Sequence, residues 1–165
     1  MLTCGVDLNK KHFRIAEDSL WDYEEGYTRT GLMTAAEEGW IDIVSELVNK
    51  QVDINEDDDL GVTALMFASE KGHAPVVSVL LANGADMSAT DHNGEHAMMK
   101  AAKNGHVEVV KYFLDNGADV DMKDDQLKAT ILSEAAKHGH ADMVSMLINQ
   151  GADVNAKDEI GSYPL

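Results

Sequence analysis

The chain has 165 residues, enough for one domain with a substantial core, and its 44% hydrophobic and 26% charged residues suit a soluble globular protein. Thirteen Lys and Arg stand against thirty Asp and Glu, a formal charge of −17, so phosphate backbones and anionic membranes would be repelled. Cys4 is the lone cysteine, which excludes an internal disulfide framework and fits a reducing compartment. No apolar run reaches the length of a membrane span, and the first residues lack the pattern of a signal peptide.

The opening MLTCGVDLNKK reads as the end of a unit rather than a beginning. It matches Leu80–Thr90 in type and spacing, so residues 1–11 are expected to be the tail of a preceding repeat. Residues 12–24, HFRIAEDSLWDYE, stand outside the repeat and read either as a short covering helix or as an inserted loop.

Four similar segments follow, expected at 25–57, 58–90, 91–124 and 125–157. Their glycines Gly39, Gly72, Gly105 and Gly139 fall 33, 33 and 34 residues apart, with the extra residue near Asp124-Asp125. Thr30, Thr63 and Thr130 are placed to N-cap a short helix with a small-residue face. His96 stands in the third unit's cap position, so that unit is expected to lack the cap, and His96→Thr to restore about 0.5–2 kcal/mol. The glycine then ends the helix in a left-handed conformation. A second helix carries apolar pairs at i, i+3, i+4 spacing: Ile43/Val44 with Leu47/Val48, Val76/Val77 with Leu80/Leu81, and their equivalents in the later units. Pro75 lies near the start of its helix, where a missing N–H costs little. Residues 158–165 begin a further unit, with Tyr-Pro-Leu in place of the opening Thr-x-Leu. No helix pair of this length buries both its faces alone; stacking does so.

Thr63-Ala64-Leu65-Met66, Gly72-His73, Gly105-His106, Gly139-His140 and the Gly-Ala-Asp tails resemble the ankyrin repeat family. The resemblance covers nearly everything after residue 24 and implies an all-α fold, an ankyrin-type α-solenoid of stacked helix-turn-helix repeats with short hairpin-like turns. Met33, Met66, Met99 and Ser133 stand where the family has a histidine. The hydrogen bonds which that histidine makes between units are therefore expected to be absent, and the array to be looser.

Candidate chemistry does not converge. His138-x-His140 could suggest a metal, but His140 holds the repeated Gly-His slot of His73 and His106. Asp53-x-Asn55-x-Asp57 starts like a calcium loop, yet it has Asp58 where glycine is needed and Ala64 where the closing Glu belongs. Cys4 has no basic neighbour to activate it. No cofactor is expected, and no catalytic set emerges.

The resemblance implies instead a non-catalytic protein–protein interaction module, a monomer, taking its partner on the turn tips and the exposed face of the first helices. The positions there that the repeat pattern leaves free are Tyr27, Arg29, Glu37 and Glu38 in the first unit, and Leu60, Val62, Phe67 and Glu70 in the second. Lys100 and Lys103 follow in the third, with Lys137 in the fourth. Tyr27, Leu60, Val62 and Phe67 are expected as apolar anchors, with acidic residues around them and basic ones farther along; packing of Phe67 under its own hairpin is the alternative. A protein or peptide partner that is basic and carries apolar anchors would fit. Two rivals stand beside this reading: the repeats as the targeting arm of a larger enzyme or effector, and a purely structural spacer. The expected location is cytoplasmic or nuclear, a secreted effector being compatible as well.

Overall fold

The computed structural model describes residues 29–159 and Gly161. The remnant at 1–11, the insertion at 12–24 and Tyr27 lie outside the described residues, as does most of the partial unit at 158–165. Among the described residues are eight helices in four antiparallel pairs. They are α1 (Gly31–Glu37) with α2 (Ile41–Asn49), α3 (Ala64–Lys71) with α4 (Ala74–Ala82), α5 (Ala97–Lys103) with α6 (Val107–Asp115), and α7 (Ile131–Lys137) with α8 (Ala141–Asn149). Helices of seven to nine residues have little stability of their own in water, so packing must hold them. The odd-numbered helices stack on one another in an inner row, and the even-numbered helices stack outside them.

Small residues set the spacing of the inner row. Ala35, Ala36, Ala68, Ala101, Ala102 and Ala135 are fully buried, which lets successive inner helices approach closely. Leu32, Leu65, Met98 and Leu132 fill the space between inner and outer rows with Val44, Val77, Val110 and Met143. Each such side chain, fully buried, contributes about 1.5–3 kcal/mol of hydrophobic stabilisation. The two outermost outer helices bury only part of their apolar pairs. Val44 is buried while Ile43 is exposed, and Leu147 is buried while Ile148 is exposed.

The N-caps form as their residue types require. Thr30, Thr63 and Thr130 each accept through Oγ1 from the N–H three residues on, at Met33, Met66 and Ser133. In the first pair Met33 completes a reciprocal cap, its Sδ accepting from Thr30 N–H at 3.3 Å. His96 corrects the expectation of a missing cap: its Nδ1 accepts from Met99 N–H at 3.2 Å, and its backbone is as extended as that of the threonines. The ring nitrogen lies one bond farther from Cα than a hydroxyl oxygen does, as the side-chain oxygen of asparagine would, and still reaches the same donor.

Contacts between units run through a different histidine from the one whose bonds were expected to be absent: Met33, Met66, Met99 and Ser133 hold that position, and the histidine after the glycine bridges the units instead. His73 Nε2 bonds Glu37 O at 2.8 Å, His106 Nε2 bonds Glu70 O at 2.9 Å, and His140 Nε2 bonds Lys103 O at 2.7 Å. Each ring lies over the helix-ending glycine of the preceding pair. A Cβ on Gly72 would stand 2.5 Å from His106 Nδ1, and one on Gly39 or Gly105 would stand 2.7 Å from the next histidine. Gly139 has the same left-handed backbone but no such cover among the described residues. The glycine thus both ends its helix and admits the next unit's imidazole.

Between pairs, a tight hairpin projects from the inner row. Short antiparallel bridges join Asp57 to Thr63, Thr90 to His96 and Lys123 to Thr130. A buried aspartate organises each turn: Asp58 accepts from the N–H groups of Leu60 and Val62, and Asp91 from those of Asn93 and Glu95. Asp124 accepts from Leu127 N–H at 2.7 Å across a turn one residue longer. The additional residue lies within that turn, and Lys128 takes the positive φ that Gly61 and Gly94 hold in the shorter hairpins. Backbone bonds link one tip to the next: His92 N–H to Leu60 O, Asp125 N–H to Gly94 O, and Glu159 N–H to Leu127 O.

Candidate functional site

The hairpin tips and the outward side of the inner helices form one continuous face. Corresponding positions line up along it: Thr34, Phe67, Lys100 and Glu134 in one row, and Glu37, Glu70, Lys103 and Lys137 one helical turn on. The rows differ in chemistry from one end to the other.

At the first end, Phe67 is only 6% exposed, and Val62 is buried too. Both were expected as exposed anchors; the fold covers them instead. The guanidinium of Arg29 lies over the Phe67 ring, 4.3 Å from its centroid. Arg29 also forms a close ion pair with Glu37, whose other oxygen stands 3.6 Å from Lys71 Nζ. Glu38 is exposed and Glu70 half-buried. Of the four expected anchors, Leu60 is the one the structure leaves open, at 43% exposure; Tyr27 lies outside the described residues.

The other end is a chain of alternating charges. Lys100 Nζ stands 2.7 Å from Asp91 and 3.5 Å from Glu95. Glu95 also pairs with Lys103, which approaches Glu134 at 3.9 Å. Glu134 is paired in turn with Lys137 at 3.3 Å, and His138 Nδ1 is 3.6 Å from its second oxygen. Lys100 and Lys103 were expected as a positive half of the face. They are instead neutralised within it, because acidic residues of the hairpin and of the next inner helix reach them. Burial by itself would raise the Asp91 carboxyl, but the bond from Lys100 and the N–H of Glu95 outweigh it and hold the group below its ordinary value. Burial would likewise lower the Lys100 ammonium, yet the Asp91 bond and the charges of Asp91, Glu95 and Glu70 raise it. The pair is therefore charged throughout the neutral range. Its contribution to stability fades as pH falls below the ordinary carboxylate value of 3.8, and again as pH rises past the lysine value of 10.5.

Leu127, at 49% exposure, is the most exposed large apolar side chain among the described residues. It occupies a hairpin tip two units along from Leu60, with His92 and Asn93 exposed on the tip between them. Residue type alone gives no means of ranking Leu127 above Phe67.

The rejected motifs find structural roles. His138 Nδ1 donates to Glu134 O at 2.9 Å, and its ring stacks on His140 at 6.3 Å between centroids. His140 is held by the Lys103 carbonyl. Asp53 accepts from Asn55 N–H, and the Asn55 amide bridges to Gly84 O and Asp86 N–H of the next unit. These side chains are spent on shaping loops and joining units. Among the described residues, no helix is long and apolar enough to cross a membrane.

Comparison with known families agrees with this geometry. The family model described as "Ankyrin repeats (3 copies)" matches residues 2–91 and 83–158. No curated protein matches the chain. Stacked helix pairs, projecting hairpins and a family match that spans almost the whole chain lead to one conclusion: this protein belongs to the ankyrin repeat family, whose domains generally serve as protein–protein interaction modules.

Proposed function

We propose that this chain is a non-catalytic interaction module that takes an extended segment of a partner protein along its hairpin tips and inner face. The observation that carries this reading is the pair of exposed leucines, Leu60 and Leu127, on tips whose backbones are tied together. The bonds from His92 to Leu60 O and from Glu159 to Leu127 O fix both carbonyls at 2.9 and 2.8 Å. Apolar side chains on a framework already ordered bind without a large further loss of conformational freedom. The partner's chemistry follows: two apolar anchors spaced across two units, with basic residues to meet Glu38, Glu70 and Asp125 and the overall charge of −17.

Affinity capture from native lysate supplies the test. Wild type is compared with Leu60→Ser/Leu127→Ser and with an outer-helix control, Glu108→Ala/Lys111→Ala, both of whose side chains are exposed on α6. The recovered partner should bind the control normally. It should lose about 2 kcal/mol or more with the leucine variant, as expected when desolvated anchors are removed. Equal binding by the leucine variant and weakened binding by the control would place the site on the outer helices instead.

A further inference from the structure

A guanidinium already sits on this face, and the way it is held is informative. Arg29 lies over Phe67 with its central carbon 4.3 Å from the ring centroid, while its nitrogen pairs with the Glu37 carboxylate. An aromatic face beside a carboxylate is the arrangement that suits arginine better than lysine. The planar guanidinium stacks on the ring and keeps its in-plane N–H groups for the acid, which a compact ammonium does not do. The ring belongs to α3 and the carboxylate to α1, so the socket spans two stacked units and depends on their packing. The arginine that fills it comes from the chain just before α1, and its side chain is 38% exposed. It is therefore the outermost layer of the socket. Phe67 is buried in the core cluster, but the repeat itself does not require an aromatic residue there: Thr34, Lys100 and Glu134 hold the same row in the other pairs.

We infer that Phe67 and Glu37 form an arginine socket which Arg29 occupies in cis, and that an arginine of the partner segment takes this place by displacing Arg29. The inference rests on the docking face argued above only for the source of the incoming arginine. Glu38 and Glu70, one residue beyond Glu37 and three beyond Phe67, add negative charge at the rim and favour a cationic newcomer. Arg29 then acts as an internal competitor. It keeps the ring covered in the free protein and sets a threshold that a weakly basic partner does not cross.

The socket is tested in the full chain with free amino-acid amides, without any partner. Backbone amide chemical shifts are followed while N-acetyl-argininamide or N-acetyl-lysinamide is added to wild type, Arg29→Ala and Arg29→Gln. Emptying the socket should let argininamide bind, with saturable shifts confined to amides around Glu37, Phe67 and Lys71. Its affinity for the two variants should exceed that for wild type, and exceed that of lysinamide, by on the order of fivefold. Adding Phe67→Leu to Arg29→Gln should erase the preference for arginine while the helical signal persists. Shifts equal for the two amides, spread over the acidic surface or indifferent to Phe67→Leu would overturn the socket. That failure would leave the docking face standing if the leucine variant still loses its partner. Conversely, a working socket with leucine-independent capture would sink the docking reading alone.

Discussion

His96 shows how one side chain couples a helix start to pH. Its Nδ1 accepts the Met99 N–H only while the ring is neutral, and its Nε2, buried, makes no hydrogen bond within the described protein. Burial lowers its pKa from the ordinary 6.5, against the pull of Asp124, Asp125 and Glu95, which favour the charged ring. The unfolded chain therefore takes up the proton at a higher pH than the folded one. Stability from this group is complete above about pH 6.5 and is lost as pH falls through the lower, folded value. His96→Asn keeps an acceptor for the cap and removes the titration. Thermal melts should show wild type losing stability relative to His96→Asn as pH drops from neutral toward about 5; parallel curves would show that the ring does not titrate there. His96→Thr, expected from sequence to stabilise, should not, because the cap is already made. Two other residues hold left-handed backbone without being glycine: Gln51, where the later units have Gly84, Gly117 and Gly151, and Lys128 in the longer hairpin. Gln51→Gly and Lys128→Gly should each raise stability by about 0.5–1 kcal/mol, the steric relief exceeding the extra entropy that glycine loses on folding. A fall in the denaturant midpoint for both would mean that their side chains make contacts worth more than the backbone strain.

At the scale of the helix pair, the recurrent Gly-His dipeptide joins each unit to its neighbour. Gly72→Ala must move the His106 ring as well as bear a strained backbone, whereas Gly139→Ala meets no neighbour among the described residues. Denaturant unfolding should therefore give a loss of about 1–2 kcal/mol for Gly139→Ala, the left-handed penalty alone, and clearly more for Gly72→Ala. In the background of His106→Ala the excess for Gly72→Ala should vanish, since the clash has lost its partner. Equal losses at the two glycines would separate the histidine from the stacking. The elements themselves were legible in the sequence. Thr30, Thr63 and Thr130 announced the inner helices, and the 33-residue recurrence of glycine announced the pairs. What the sequence hid was which histidine bridges, because a periodic His after Gly says nothing of the carbonyl 36 residues earlier that its ring will meet. The apolar pairs of α2 and α8 were also over-read. A helical stripe marks what a neighbour would bury, and Ile43 and Ile148 lie at the two edges of the described stack.

Across the whole molecule, repetition fixes a scaffold while the positions free of the pattern give its two ends different chemistry. One end offers a ring and carboxylate filled by Arg29; the other is a self-neutralised run from Asp91 to Lys137. The face was visible in the sequence as a set of non-pattern positions, but its anchors were not. Burial of Phe67 and Val62 comes from packing within the stacked core and, for Phe67, from Arg29 over its ring, which residue types do not encode locally. Ion pairing is equally nonlocal: Glu134 lies 31 residues from the Lys103 it approaches. The tied row of hairpin tips is the surface proposed to receive the partner. Hydrogen exchange of the full chain, free and saturated with the captured partner, tests that proposal most directly. Added protection is expected in the tips at 59–62, 92–95 and 125–129 and along the exposed side of α1 and α3, with α4, α6 and α8 unchanged. Protection confined to those outer helices, with the tips exchanging as in the free chain, would contradict it.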